Sequence, residues 1–271
     1  MTMQRGDDRG PVRNGHGLGA FWGIGVGPGP AGYVSVAAAG ALQQADLIFA
    51  PRSRGGEVSV ARQCLAGIAV PDDRWRDVEF DMNADRDTLQ GHYARLARAV
   101  AAELCAGRNV AYLTIGDSLT YSTYGYLLAA LRERLPSLPH RTFPGITSFA
   151  AAASALDWTL AEGKERVLIL PCPEEPAALR HDIETHDVVV LLKIGARLPW
   201  VLDLLRGIGI AEHCAFARRI GLPGEVLCAD VSSLDAADAS GYLATLLIRK
   251  APPQRWRQTN REERGHERRR E

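Results

Sequence analysis

Short apolar runs alternate along this chain with segments whose apolar residues recur every three to four positions. That alternation predicts an α/β protein with crossover helices. Phe21 to Gly27 reads as a first strand that ends in glycines. Val36 to Ala45 then reads as a helix, Leu47 to Pro51 as a strand and Val58 to Ile68 as a helix. Leu89 to Cys105 is a longer helix with Leu96, Val100 and Leu104 on one face, and Gly107 suits its C-terminal cap. Asn109 to Ile115 reads as a strand, and Tyr124 to Leu135 as a helix stopped by Pro136. This half is expected to hold a parallel sheet.

The second half repeats the alternation and then changes. Thr142 and Phe143 lead through Pro144-Gly145 into an Ala-rich helix from Ser148 to Leu156. Val167 to Leu170 and Val188 to Lys193 read as strands, Pro176 to Glu184 and Pro199 to Arg206 as helices. Beyond Gly207, Cys214 to Arg218, Glu225 to Ala229 and Tyr242 to Ile248 read as strands with short links, which favour antiparallel pairing. The expected organisation is a tail over 1–18, an α/β domain over 19–136, a second α/β domain with a mixed sheet over 137–250, and a tail over 251–271. The join falls near Ser137 to Arg141.

Two loops carry candidate chemistry. Gly23-Ile24-Gly25-Val26-Gly27-Pro28-Gly29-Pro30 sits where the first strand ends, the position at which nucleotide-like ligands meet parallel sheets. Glycines there permit close backbone approach and positive φ. Gly27, Gly29 and Gly32 formally match G-x-G-x-x-G, but Ala50-Pro51-Arg52 offers no acid for a ribose. An NADP reading through Arg52 stays open as a runner-up, as does a plain tight turn. Leu113-Thr114-Ile115-Gly116-Asp117-Ser118 ends another strand, followed by Tyr121-Ser122-Thr123-Tyr124. A lone Asp there also serves as a helix cap.

Together the segments say more. Gly25-Val26-Gly27-Pro28-Gly29, Ala45-Asp46-Leu47-Ile48, Pro51-Arg52-Ser53, Gly116-Asp117 with Tyr121-Ser122-Thr123-Tyr124, Phe143-Pro144-Gly145-Ile146-Thr147-Ser148-Phe149, and Leu192-Lys193-Ile194-Gly195 with Leu198-Pro199 occur in order. In these, from about Phe21 to Lys250, the chain resembles the tetrapyrrole methylase family. The Tyr-Ser-Thr-Tyr segment, Ile-Thr-Ser-Phe and Leu160-Ala161-Glu162-Gly163 resemble its branch acting on carbon 20 of precorrin-2 or cobalt-factor II. The resemblance implies a homodimer that binds S-adenosylmethionine in a cleft between two α/β domains, releases S-adenosylhomocysteine, and works in cobalamin synthesis. It implies cofactor contacts at Pro28, Ile115, Gly116, Asp117, Tyr121, Ser122, Thr123, Thr147, Ser148 and Ile194. The chain departs from the family pattern at three places. Gly29-Pro30-Ala31 lacks the usual acid, Ala37 or Ala38 replaces a common Lys, and Ser118 replaces the Pro of Gly-Asp-Pro. A homologue with another target, or a non-catalytic carrier, therefore remains an alternative.

A macrocycle rich in carboxylates asks for local positive charge. Arg52, Arg54 and Lys193 follow expected strand ends and are the candidates, with Tyr121 or Tyr124 for substrate hydrogen bonding. No nucleophile or general base is assigned. The five cysteines form no CxxC pair and the histidines have no metal-ligand spacing, so no protein metal site is expected. Net charge is zero but uneven: Arg249 to Glu271 carries a surplus of five positive charges, Met1 to Leu18 one, and the middle about six negative. The tail reads as solvated rather than as a nucleic-acid arm. With no apolar run near the ~18 residues of a membrane span and no secretory h-region, a cytoplasmic protein is expected.

Overall fold

The computed structural model describes residues 17–53, 58–80, 86–237 and 239–252. In the first half, β1 (Phe21–Gly25), β2 (Leu47–Ser53), β3 (Trp75–Phe80), β4 (Val110–Thr114) and β5 (His140–Phe143) form one sheet in the order β3-β2-β4-β1-β5. All four pairings are parallel. Every residue of β1 and β4 is buried, as expected for central strands covered on both faces. Alternate side chains serve opposite layers. Phe21 and Tyr112 join the core beneath α3 (Arg86–Cys105) and α4 (Tyr124–Arg134), while Trp22, Ile24, Ala111 and Leu113 pack with α1 (Val36–Gln44).

Two sequence expectations change here. The helix expected over Val58 to Ile68 shrinks to α2 (Val60–Gln63), because the chain turns after Cys64 and Gly67 takes φ 93°. The join expected near Ser137 to Arg141 moves past Phe143, because β5 pairs with β1 from Phe21↔His140 to Ile24↔Phe143.

The second sheet holds β6 (Val167–Pro171), β7 (Val188–Leu192), β8 (Ala215–Arg218), β9 (Val226–Cys228) and β10 (Ala244–Arg249), ordered β6-β7-β10-β8-β9. β6 and β7 pair in parallel across α6 (Pro176–Thr185), and the other pairings are antiparallel, as the short links require. α5 (Ser148–Ala155) covers one face with Ala151 and Ala152 against Val190, Ala215 and Leu247. Leu179 and Ile183 of α6 join Val201, Leu202 and Leu205 of α7 (Leu198–Gly207) on the other. At the end of β10, Arg249 is only 3% exposed. Its guanidinium meets Glu165 Oε1 at 2.7 Å and the Thr159 carbonyl at 2.9 Å, and lies 5.1 Å from the centre of the Trp158 ring. One buried ion pair thus ties the last strand to the segment between α5 and β6.

Candidate active site

Because the first sheet is parallel, β4, β1 and β5 all end at one edge, and their loops lie side by side. Glycine lets them touch backbone to backbone. Gly27 and Gly116 exchange hydrogen bonds, N to O at 3.1 Å and 2.8 Å. A Cβ on Gly145 would stand 2.0 Å from the Gly116 oxygen, and one on Gly25 would stand 2.5 Å from the Gly145 nitrogen. Real side chains cannot approach backbone so closely, so Gly25 and Gly145 fit only as glycine. Beneath them, Ser118 Oγ donates to the Phe143 carbonyl at 2.8 Å, and Thr114 Oγ1 donates to the Ile24 carbonyl at 3.3 Å.

Asp117 ties the loops together. Its Oδ1 accepts from the backbone N–H groups of Leu119 and Thr120 and from the Thr120 hydroxyl, at 2.9, 3.0 and 3.0 Å. Its Oδ2 accepts from the Gly145 N–H at 3.1 Å. Burial pushes the carboxyl upward, but the four hydrogen bonds outweigh that and hold it below the ordinary range. Asp117 is therefore a positioning carboxylate whose acceptors are already engaged.

The second sheet presents its own loops to this edge. Tyr121 OH donates to the Ile169 carbonyl at 3.1 Å, and Lys193 Nζ lies 5.8 Å from the centre of the Tyr121 ring. Thr245 Oγ1 of β10 donates to Ser148 Oγ at 2.8 Å. Five non-glycine residues take left-handed φ among the described residues, and four of them, Tyr121, Lys193, Arg219 and Leu243, stand at φ 49–54° in the loops bordering the two facing edges. Such conformations are unfavourable for side chains other than glycine and concentrate at functional sites. Leu119, Tyr121, Ile146 and Tyr242 expose large apolar surface in the same loops, at 63%, 47%, 39% and 53%. Exposed apolar side chains beside glycine-rich backbone are the kind of lining an organic ligand takes.

The expected site residues do not share one fate. Pro28, Ile115, Gly116 and Asp117 all lie in the packed loops. Ser122 Oγ donates to the Ser118 carbonyl, and Thr123 Oγ1 shares a 2.8 Å hydrogen bond with Tyr112 OH, so both support the loop from behind. Thr147 caps α5 by accepting from Ala150 N. Two of the expected residues lie in the core. Tyr124 is fully buried, with its hydroxyl 2.7 Å from Thr142 Oγ1 and its ring beneath Gly23. Ile194 is also fully buried and belongs to the core with Leu191 and Leu198, so its side chain does not line the cleft. Arg52 pairs with Glu79 on the neighbouring strand at 3.0 Å, and Arg54 lies outside the described residues. Sequence reasoning missed Gly145 as a packing point and the Arg219–Gly224 turn. That turn carries a legible signal in Gly221-Leu222-Pro223-Gly224, directly after a strand.

Among the described residues, no group of three or more His, Cys, Asp or Glu could hold a metal ion, and no helix is long and apolar enough to cross a membrane. Burial pushes Cys64 and Cys214 up to about 12, and neither thiol borders the cleft.

Fold and loops together define an α/β protein with one parallel and one mixed five-stranded sheet and a cluster of glycine-rich loops at the edge of the first. The pattern that describes the Tetrapyrrole (Corrin/Porphyrin) Methylases matches residues 20–235, and the chain belongs to that family. It is 28% identical to the Cobalt-precorrin-2 C(20)-methyltransferase of Salmonella typhimurium, over 86% of this chain and 97% of that protein. It is 31% identical to the Probable cobalt-precorrin-2 C(20)-methyltransferase of Methanocaldococcus jannaschii, over 84% and 95%. Among solved structures, a cobalt precorrin-4 methyltransferase superposes with a TM-score of 0.64 at 18% identity, covering 84% of this chain and 94% of that one.

Proposed function

We propose that this protein transfers a methyl group from S-adenosylmethionine to carbon 20 of precorrin-2 or its cobalt complex, in cobalamin synthesis. The observation that carries this reading is the nearly full-length likeness to two proteins named for that carbon, which runs through the loops that pack at the sheet edge. The walls fit a cofactor held by backbone. Glycine at Gly25 and Gly145 lets the loops pack backbone to backbone, and Asp117 fixes the turns that present the amides.

Pro28, Ile115, Gly116, Asp117 and the turn from Tyr121 to Thr123 would hold the cofactor, with Thr147 and Ser148 beside them. When bound, S-adenosylmethionine supplies an electrophilic methyl group. The macrocycle brings its own nucleophile, a meso carbon made electron-rich by flanking pyrroles, and any cobalt arrives within it. The chain's share is alignment, worth several kcal/mol when reacting atoms are held near attack. Leu119, Tyr121, Ile146 and Tyr242 would exclude water as they close on the ligand. Lys193 is the cation expected to meet a substrate carboxylate. Homodimeric assembly and a cytoplasmic setting are parts of the same proposal, the former checked by sedimentation equilibrium.

The test is anaerobic incubation of purified protein with isotope-labelled S-adenosylmethionine and precorrin-2 or its cobalt complex, read by mass spectrometry. One labelled methyl at carbon 20 supports the reading; no methylation of either macrocycle by folded protein overturns it. Protection from thermal unfolding by S-adenosylhomocysteine, about 2.7 kcal/mol at a hundred times its dissociation constant, and none by NADP, separates it from the oxidoreductase alternative.

A further inference from the structure

β8 ends at Arg218 and runs into a turn that touches the first glycine loop directly. The Ile220 oxygen lies 2.0 Å from where a Cβ on Gly29 would stand, and Pro30 Cδ lies 2.1 Å from where one on Gly221 would stand. The turn is held from both ends. Arg219 N donates to the Leu243 carbonyl at 3.0 Å, Gly221 N to Glu225 Oε1 at 2.6 Å, and Arg219 Nε to the Pro223 carbonyl at 2.6 Å.

Two guanidinium groups converge on this turn. Arg218 Nη2 and Arg219 Nε lie 3.4 and 3.7 Å from the same point, the position of a Cβ on Gly224. The arginines of the second half that form ion pairs among the described residues are Arg166, Arg197, Arg206 and Arg249. Arg218 and Arg219 are not among them, and Arg218 Nε is buried with no hydrogen-bond partner. The nearby carboxylate of Glu225 already accepts the Gly221 N–H and comes within ion-pair distance of neither arginine. Two like charges brought together beside an unpaired buried donor, on a turn whose Arg219 is left-handed at φ 49°, form a site short of an anion. A guanidinium offers a planar fork that matches a carboxylate.

We propose that Arg218 and Arg219 form a carboxylate subsite at the rim of the cleft, beside the Gly27–Pro30 loop, that reads one acidic side chain of the macrocycle. The proposal rests on the reading of the protein as a methylase of a carboxylate-rich tetrapyrrole.

The experiment compares wild type with Arg219→Gln, Arg218→Gln and Arg218→Lys, each checked for folding by thermal unfolding. Turnover of precorrin-2, equilibrium binding of precorrin-2 and binding of S-adenosylhomocysteine are measured in parallel, between low and high salt. Arg219→Gln and Arg218→Gln are expected to raise the KM and Kd for precorrin-2 about tenfold, about 1.4 kcal/mol. The change in kcat should stay below about twofold, S-adenosylhomocysteine affinity should hold, and the salt dependence of precorrin-2 binding should weaken as a cation is removed. Arg218→Lys should recover part of the loss. If Arg218→Gln does not fold, Arg219→Gln decides alone. Unchanged precorrin-2 affinity and salt dependence refute the subsite, and so does an equal loss of S-adenosylhomocysteine affinity. Binding and turnover are measured with both precorrin-2 and its cobalt complex, and the variants are compared on the macrocycle that wild type binds. Wild type that binds either macrocycle and methylates neither overturns the methylase reading alone, because the variants' binding still tests the subsite. Wild type that binds neither overturns both.

Discussion

Gly145→Ala is the sharpest test of how the site is built. The added Cβ would stand 2.0 Å from the Gly116 oxygen and 2.7 and 2.8 Å from Gly25 C and Cα, all of them backbone. Ordinary contact begins near 3.4 Å, so the loops must separate by about 1.4 Å. The Gly116 oxygen is not free to retreat, because it accepts the Gly27 N–H at 3.1 Å. Overpacking of this kind costs about 1–3 kcal/mol of stability. A displacement on the order of 1 Å at a positioning loop lowers turnover roughly a hundredfold. Steady-state kinetics, calorimetric titration with S-adenosylhomocysteine and thermal unfolding read the three consequences. Gly125→Ala is the control: it lies in α4 with nothing within 4 Å of the new Cβ, and should stabilise by about 0.5–1 kcal/mol. A Gly145→Ala protein with wild-type turnover and cofactor affinity would show that the glycine contacts do not set the cleft.

Three further predictions follow from single contacts. Asp117→Asn places an amide N–H against the Gly145 N–H or surrenders an acceptor, so S-adenosylhomocysteine affinity should fall by roughly tenfold, as befits one lost, partly buried hydrogen bond to a charged group. Because the folded Asp117 carboxyl sits below its ordinary value, its contribution is complete above the ordinary carboxylate range and fades as pH falls through the lowered value. Binding titrations across acidic pH should show this in wild type and not in the variant. Glu165→Gln strands the buried Arg249 charge, a loss of about 3 kcal/mol, and should lower Tm by about 6–12 °C in thermal unfolding. The Arg249 hydrogen bond holds Glu165 below its ordinary pKa, so wild type should lose this difference as pH falls through the depressed value. Tyr124→Phe should cost about 1 kcal/mol from the lost bond to Thr142 and leave the KM for the macrocycle unchanged, as a core position must.

What the sequence makes legible is the interior. β1 and β4 are buried on both faces and read as continuous apolar runs, while α3 shows its stripe at Leu96, Val100 and Leu104. Edge strands hide. β3 reads Trp-Arg-Asp-Val-Glu-Phe, with only Val78 and Phe80 buried, and β5 buries Phe143 alone, so neither announces itself by apolarity. In the candidate site, the glycines that bring the loops together are legible in the sequence as glycine-rich strand ends. Side-chain roles were read less well, because three residues of chain change everything at a helix start. Tyr121 faces the opposing sheet, whereas Tyr124 turns beneath Gly23 into the core. The Arg218–Arg219 convergence depends on how one turn folds back over Gly224, which residue spacing does not encode.

Tyr121, Lys193, Arg219 and Leu243 share a left-handed backbone that each holds at a cost of about 1–2 kcal/mol. Glycine at any of them would relieve that strain, offset in part by its larger entropy in the unfolded chain. The four sites are therefore where thermostability and activity should come apart during directed evolution. Libraries selected for heat resistance should accumulate glycine at these positions, and libraries selected for growth on the reaction product should restore the larger side chains.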